Sequence, residues 1–250
     1  MMKKFRFRTF SALLLAYAVT VFSSGAAHAT PSTTLWIPSV DIQSYGVWHF
    51  GVDTYTSVAT KAEDGGRMFP VDYGLTVGVA PFEKWGVEVG IDMFEYSDYP
   101  WYLNAKAALY EGALGDWSPA LAVGGYTFGT EADATDYNIV YVVAAKTFGA
   151  MGRITVGYFS GNEKLLVDKD GKKDNTGLLA SWDLQMTDKW WLALDYMGGK
   201  SAFGATSVGF AYAASDNVGL LFGYNIYADN DIGGEKMNSN TLEFNLDVNF

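Results

Sequence analysis

The last ten residues of the chain alternate strictly between apolar and polar side chains. The apolar positions are Leu242, Phe244, Leu246, Val248 and Phe250, and the polar positions are Thr241, Glu243, Asn245, Asp247 and Asn249. Because successive side chains of a strand point to opposite faces, this period of two predicts a strand with one apolar and one hydrated face. A chain made of many such strands must cover its apolar faces with another sheet or with lipid.

Further segments of about ten residues, the length of a tilted membrane strand, share this pattern. They run approximately over 45–56, 71–80, 86–96, 101–110, 120–129, 138–148, 153–160, 176–186, 190–198, 207–214 and 218–227. The alternation is poor at 120–129 and 138–148, so the facing of these two strands stays open. Elsewhere it sets large apolar side chains against small, polar and acidic ones.

The connections between these segments also alternate in length. Tight turns follow the even-numbered strands, and longer polar loops near 58–70, 131–137, 163–174 and 228–238 follow odd-numbered ones. Short turns at one end and long loops at the other are typical of bacterial barrels, whose even strand number returns both termini to the periplasm. We therefore predict an all-β fold, a single antiparallel transmembrane β-barrel of about 12 strands, with 10 or 14 as alternatives.

The amino-terminal residues are typical of an export signal. Lys3, Lys4, Arg6 and Arg8 precede an apolar run over 10–22, and Ala27-His28-Ala29 forms a cleavage site. The apolar run is too short to cross a bilayer as a helix. We predict a cleaved signal peptide over 1–29, a periplasmic lead-in over 30–44 and the barrel over 45–250.

The charge and the cysteine content bear on the partners and on the folding of the chain. Residues 1–29 carry four of the 17 basic residues and none of the 28 acidic ones, which leaves a net charge of −15 for the rest. Such a chain should repel nucleic acid. It has no cysteine, so its folding needs no disulfide.

In a barrel of this size the apolar faces must point outward into lipid, because the interior cannot hold so many large side chains. Aromatic residues cluster where the strands end, as expected of two membrane interfaces. Those near the short turns are Trp85, Trp117, Trp190 and Trp191, and those near the long loops are Tyr55, Tyr96, Tyr99, Trp101 and Tyr102.

The terminal strand, with its aromatic residue Phe250 at the end, resembles the assembly signal of Gram-negative outer-membrane β-barrels. The whole predicted mature chain resembles small porin-like proteins, most clearly at 174–183 and 188–191. The resemblance implies a location in the cell outer membrane. It also implies contact with outer-membrane lipids, lipopolysaccharide and the barrel-assembly machinery. It identifies no catalytic or ligand residue.

The polar faces should line the lumen. The candidate pore-lining residues are His49, Asp53, Asp72, Glu88, Asp92, Lys106, Asp183, Asp195, Glu243 and Asp247. The basic residues expected on these faces are Lys106, Lys146 and Arg153, so acidic groups dominate and should attract cations. We predict a channel for passive diffusion of small solutes with a weak preference for cations. The alternative is a plugged barrel, structural or adhesive, that acts through its outer loops.

An outer-membrane lipid hydrolase is a third hypothesis. It would need His49 as a base next to a nucleophile, and no serine can be paired with His49 from the sequence. Asp168, Asp170, Gly171 and Asp174 resemble part of a calcium loop, but the spacing lacks further ligands and favours a solvated hairpin tip. We therefore predict neither catalysis, nor a metal, nor a cofactor.

Overall fold

The computed structural model describes residues 32–61, 64, 70–95, 97–229, 231–232, 235–236 and 239–250. It is built almost entirely from strands, β1–β14 in chain order. Their bounds are Trp48–Ser57, Asp72–Gly78, Trp85–Phe94, Trp101–Leu109, Ala120–Gly129, Asp136–Thr147, Arg153–Ser160, Thr176–Gln185, Trp190–Met197, Ala205–Ser215, Val218–Tyr227, Asp231–Ile232, Glu235–Lys236 and Thr241–Asn249. In the described part of the chain, no helix is long and apolar enough to cross a membrane.

Twelve of these strands form one closed barrel in which every neighbouring pair is antiparallel. Each strand pairs with the next along the chain, and β14 closes the barrel between β1 and β11. The seam pairs His49 with Asn249 and Ser57 with Thr241. The predicted antiparallel 12-stranded barrel is thereby confirmed. β12 and β13 form a separate two-stranded hairpin in the last loop.

The two faces of the barrel differ as the alternation predicts. On β7, Ile154, Val156 and Tyr158 are exposed on the outside, while Thr155 and Phe159 are buried on the inside. The same holds around the barrel, where exposed outward residues include Val89, Leu103, Val123, Val142, Leu178, Leu194, Val208, Phe222 and Phe244. An apolar band of this extent would be costly in water and fits a hydrocarbon environment.

The two strands whose facing the sequence left open have irregular backbones. In β5 the register shifts between Tyr126 and Phe128. Thr127 between them has a positive φ of 55°, and Asn138 in β6 has one of 47°. Such a bulge places one extra residue in the ladder and breaks the period of two. β6 is also apolar on both faces, because Ile139, Tyr141 and Val143 are buried inside while Val140 and Val142 are exposed outside.

Residues 32–44 lie inside the barrel, and we call them the inner segment. Leu35, Ile37 and Val40 in it are at most 3% exposed. Its polar contacts include inward-facing side chains of β3, β4, β7 and β9. The sequence predicts a periplasmic lead-in over 30–44, and the structure corrects the position of its described part, which lies in the lumen. The physical reason is a run of apolar side chains that the lumen can bury.

Candidate functional site

The inner segment is folded back on itself within the lumen. Thr33 and Pro38 form an antiparallel bridge, and Ser39 N–H donates to Ser32 O over 3.1 Å. Thr34 N–H donates to Ile37 O over 2.8 Å, which closes a tight turn at Leu35 and Trp36. The segment therefore presents a turn with a tryptophan at its tip and two arms that run side by side.

Asp195 on β9 holds the tip of this turn. Its Oδ2 atom accepts hydrogen bonds from the backbone N–H groups of Leu35 at 2.9 Å, Trp36 at 2.8 Å and Ile37 at 3.1 Å. The Asp195 residue is 1% exposed. A buried carboxylate that gathers three backbone donors is a strong, charge-assisted anchor.

Glu88 on β3 holds the two arms. Its Oε1 accepts from Ser32 Oγ at 2.8 Å, and its Oε2 accepts from Gln43 N–H at 2.7 Å. Lys106 on β4 lies 3.2 Å from Glu88 Oε1 and also donates to Ser32 O at 3.1 Å. One ion pair on neighbouring strands thus ties both ends of the inner segment to the wall.

A third anchor involves Arg153 on β7. Its guanidinium contacts Asp41 of the inner segment at 2.8 Å and Asp183 on β8 at 2.9 Å. Asp183 also accepts from Trp191 Nε1 at 3.2 Å. Lys146, also predicted to face the lumen, instead contacts Glu111 in the turn after β4 at 2.9 Å.

One half of the lumen is lined by small and apolar side chains that receive the inner segment. Ile37 and Val40 pack in a cluster with Ala108, Ala120, Ala122, Ile139, Tyr141, Val143, Ala145, Phe159, Leu166, Leu179 and Met197. Leu35 packs with Trp191, Ala193, Ala211 and Leu221. At Gly209 an added Cβ would lie 2.8 Å from Leu35 Cδ2, so this glycine makes room for the leucine.

The other half of the lumen contains a cavity of about 460 Å³ beside the inner segment. The inward residues of β1, β2 and β3 supply His49, Gly51, Asp53, Asp72, Gly74, Thr76, Glu88 and Asp92 to its wall. The rest of the wall is largely aromatic, with Trp36, Tyr55, Phe94, Tyr102, Tyr126, Tyr137, Tyr141 and Phe203. The volume is in the range of small-molecule sites.

The rings in this wall contact one another around Trp36. Its indole meets Tyr55 edge to face at 5.3 Å between centroids and Tyr227 at 5.6 Å, and lies 6.3 Å from Phe203. Phe203 lies 5.3 Å from Tyr137. The contacts link the tip of the inner segment to the far end of β1 and to the loop after β9.

This aromatic wall was not predicted from the sequence. The sequence predicts Tyr55, Tyr102 and Trp191 at the membrane interfaces, and the structure corrects this, since all three point inward. Trp85, Tyr99, Trp101, Trp117 and Trp190 are exposed on the outside, and Tyr96 lies outside the described residues. The alternation itself held the missing signal, because Tyr55 and Tyr102 share the parity of Asp53 and Asn104 on their strands.

All ten candidate pore-lining residues have their side chains on the inner side of the barrel, but only six reach the cavity. These six are His49, Asp53, Asp72, Glu88, Asp92 and Lys106. Asp183 and Asp195 instead belong to the anchors described above. Glu243 accepts hydrogen bonds from Asn225 at 3.1 Å and Asn245 at 2.9 Å, and Asp247 contacts His49. That these side chains line a conducting path stays a prediction.

Eight of the ten are carboxylates, and cations balance only part of their charge. Glu88, Asp183 and Asp247 contact Lys106, Arg153 and His49 respectively. Within the described residues, the other five contact no cation; they are Asp53, Asp72, Asp92, Asp195 and Glu243. The lumen therefore keeps an acidic character after its ion pairs are formed.

The imidazole of His49 is occupied on both sides. Nε2 lies 3.3 Å from Asp247 Oδ1, and Nδ1 lies 3.0 Å from Asn249 Oδ1. The Asn249 oxygen also accepts from Gln43 Nε2 at 2.6 Å, which connects the histidine to the inner segment. These contacts suit a histidine that forms part of the barrel wall. Neither contact is with a hydroxyl group, so they give no support to the hydrolase hypothesis.

The acidic loop after β7 forms a tight hairpin. Val167 bridges Lys173, and Asp168 Oδ1 accepts the backbone N–H groups of Asp170 and Lys172, each at 2.9 Å. The Asp168 side chain therefore stabilises the turn of its own loop. Among the described residues, no three acidic or histidine side chains are arranged to hold a metal ion.

Comparisons with known proteins find likeness in structure only. No protein-family model matches the chain, and no curated protein is similar to it in sequence. Among solved structures, the KdgM porin matches with a TM-score of 0.52 and 8% identity, over 82% of this chain and 98% of the other. The KdgM porin in complex with disordered oligogalacturonate matches with a TM-score of 0.52 and 7% identity, with the same coverage.

The NanC porin matches with a TM-score of 0.46 and 12% identity, over 81% of this chain and 98% of that one. At such identities, the KdgM match shows a shared fold and no more. The chain therefore has the porin-like fold of a closed antiparallel barrel.

Proposed function

We propose that the protein is an outer-membrane channel through which small solutes diffuse passively, with a preference for cations. The observation that carries this proposal is a closed barrel with an apolar outer surface and an inner cavity rich in carboxylates. An outer surface of this kind suits lipid, and acidic walls raise the local concentration of cations. The predicted signal peptide and the terminal Phe250 support export to that membrane and recognition by its assembly machinery.

The oligogalacturonate named with the KdgM porin does not transfer to this chain. Oligogalacturonate is a polyanion, and five inward carboxylates here contact no cation among the described residues. Inward carboxylates repel solutes of the same charge. We therefore expect cationic or neutral solutes rather than acidic sugars.

The inner segment favours a second candidate function, a plugged barrel that acts through its outer loops. It fills the apolar half of the lumen and is anchored at its tip and both arms. In that case the cavity would be a closed chamber, and binding to other surfaces would be lost when the outer loops are trimmed while the barrel stays folded.

Planar-bilayer conductance of the purified protein decides between these functions. We expect small, stable steps and a reversal potential of cation-selective sign in a KCl gradient at low salt, where screening is weak. Asp92→Asn should reduce this selectivity, and Asp188→Asn in the exposed turn after β8 should leave it unchanged. Absence of steps supports the plugged barrel, and anion selectivity at low salt contradicts the proposed channel.

A further inference from the structure

The cavity beside the inner segment combines two kinds of wall. On β1 and β2, Asp53 and Asp72 are directly paired residues, and Asp92 on β3 faces Gly74, two residues from Asp72. The three carboxylates thus share one patch. Gly74 brings the backbone close to it, since an added Cβ there would lie 3.2 Å from Asp92 Oδ1.

Cations of the described residues do not balance the carboxylates of this patch. Asp92 Oδ2 accepts from Asn104 Nδ2 at 2.7 Å, which is a neutral donor. One buried oxygen of Asp53 and one of Asp72 have no hydrogen-bond partner in the part of the chain that the structure describes. Over the described ranges of the chain, none of the three carboxylates contacts a lysine, arginine or histidine. Neighbouring carboxylates without a cation repel one another, and a bound cation would relieve that repulsion.

The remaining wall determines which cation suits the cavity. Trp36, Tyr55, Tyr102, Tyr126 and Tyr137 line it with aromatic rings. Ring faces attract cations of low charge density, such as substituted ammonium groups, most strongly when water is excluded. A small, strongly hydrated metal ion gains little from such rings, and the acidic side chains of the described residues are not placed as a metal site.

We propose that this cavity binds an organic ammonium ion, with its charge beside Asp53 and Asp72 and its alkyl groups against Trp36 and Tyr55. The inference deepens the proposed channel function by naming the class of solute. The site itself stands on the cavity, its free carboxylate oxygens and its aromatic wall. The volume of about 460 Å³ accommodates an amine with several alkyl groups.

Calorimetric titration of the purified full-length protein in uncharged detergent at low salt tests the site. The probe is choline chloride, and its neutral isostere is 3,3-dimethylbutan-1-ol, which has the same shape without the charge. We expect choline to bind at least tenfold more tightly than the alcohol. Equal affinity for the two, or no choline heat from a folded barrel, would overturn the inference.

Variants locate the binding. Asp53→Asn with Asp72→Asn keeps the volume of both side chains, and it should raise the choline dissociation constant at least tenfold. The matched charge control Asp188→Asn, on the exposed turn after β8, should change it less than twofold. Tyr55→Leu should also weaken choline binding, which keeps the test valid if the double variant folds poorly. Full displacement of choline by an equal concentration of CaCl₂ would assign the patch to a metal instead.

Failure of this inference can be told apart from failure of the channel. Calorimetry in detergent needs no conduction, and conductance in KCl needs no choline. Cation-selective conductance steps without choline binding would contradict the proposed organic ammonium site and leave the proposed channel intact. Choline binding without steps leaves the site in place inside a plugged barrel.

Discussion

The carboxylate of Asp195 holds the backbone of Trp36, with 2.8 Å between the Trp36 nitrogen and Asp195 Oδ2. The two residues are separated by 159 positions in the chain and join a barrel strand to the tip of the inner segment. The same oxygen accepts from the residues on either side of Trp36. The position of Trp36, and with it the aromatic contacts of its ring, therefore depends on one acidic side chain of the barrel wall.

Replacement of Asp195 should loosen the inner segment. Asp195→Ala removes the acceptor of three backbone N–H groups, and each buried donor left unpaired costs about 1–3 kcal/mol. We expect amide hydrogen exchange at Leu35, Trp36 and Ile37 to accelerate at least a hundredfold and single-channel conductance to increase. Asp195→Asn, which retains a carbonyl acceptor, should have a smaller effect. Unchanged exchange in the alanine variant would show that packing alone holds the segment.

The Glu88–Lys106 pair should be more sensitive to the loss of one partner than of both. Both side chains are at most 3% exposed, so Lys106→Met leaves a buried carboxylate without its cation, at a cost of about 3–5 kcal/mol. Adding Glu88→Gln should recover a large part of that loss. Urea unfolding in lipid vesicles measures both variants. Equal destabilisation by the single and double changes would contradict the view that the unpaired charge is the dominant cost.

Charge placed on the outer face tests the membrane location. Val156 lies near the middle of β7 and is 56% exposed. Val156→Arg should cost about 2–4 kcal/mol if that position faces the hydrocarbon. Ala132→Arg, in the exposed loop between β5 and β6, is the matched control and should cost almost nothing. Similar folding free energies for the two variants in vesicles would indicate that water covers the band.

The turn between β4 and β5 should contribute stability that depends on pH. Partial burial raises the pKa of Glu111, but the ion pair with Lys146 and hydrogen bonds from Thr147 outweigh burial and lower it below its usual 4.5. A depressed folded-state pKa means that this stability is present above pH 4.5 and is lost as the pH falls further. The contribution should be below about 1 kcal/mol, because the pair is partly exposed.

The free energies of unfolding of the wild type and of Glu111→Gln at pH 7 and pH 3 measure this pH-dependent contribution. The difference between the two proteins should shrink at pH 3, where Glu111 is protonated. Glu83→Gln, in the exposed turn between β2 and β3, serves as the control at both pH values. A difference that is constant with pH would show that Glu111 acts through packing rather than charge.

The strands could be predicted because each has a physical reason to alternate. Val156 faces the apolar surroundings of the barrel, and its neighbour Thr155 faces the interior. A shift of the strand register by one residue would therefore turn every side chain of the strand to the opposite face. Where this reason weakens, so does the prediction. The inner face of β6 packs against Ile37 and Val40 rather than water, which makes both faces apolar and removes the contrast.

The inner segment could not be predicted in the same way. Leu35, Trp36 and Ile37 form an apolar run without a period, and their main anchor lies about 160 residues away in β9. Local patterning carries no information on such a partner. The acidic half of the cavity could be predicted from the alternation along the strands. Trp36 and Phe203 could not, because they lie in segments outside the strands.

The seam between β1 and β14 also imposes an order on assembly. His49 and Asn249 stand 200 residues apart, and their strands meet only when the last ten residues are in place. The inner segment precedes β1 in the chain, yet it must be enclosed by the sheet that β14 completes. Docking of these early residues on β9 therefore comes before closure, or the finished cylinder has to be entered through its end. Contacts between residues far apart in the chain form slowly, so pairing of β1 with β14 should be a late step of assembly, and the sheet that is still open at this seam gives the inner segment access to β9.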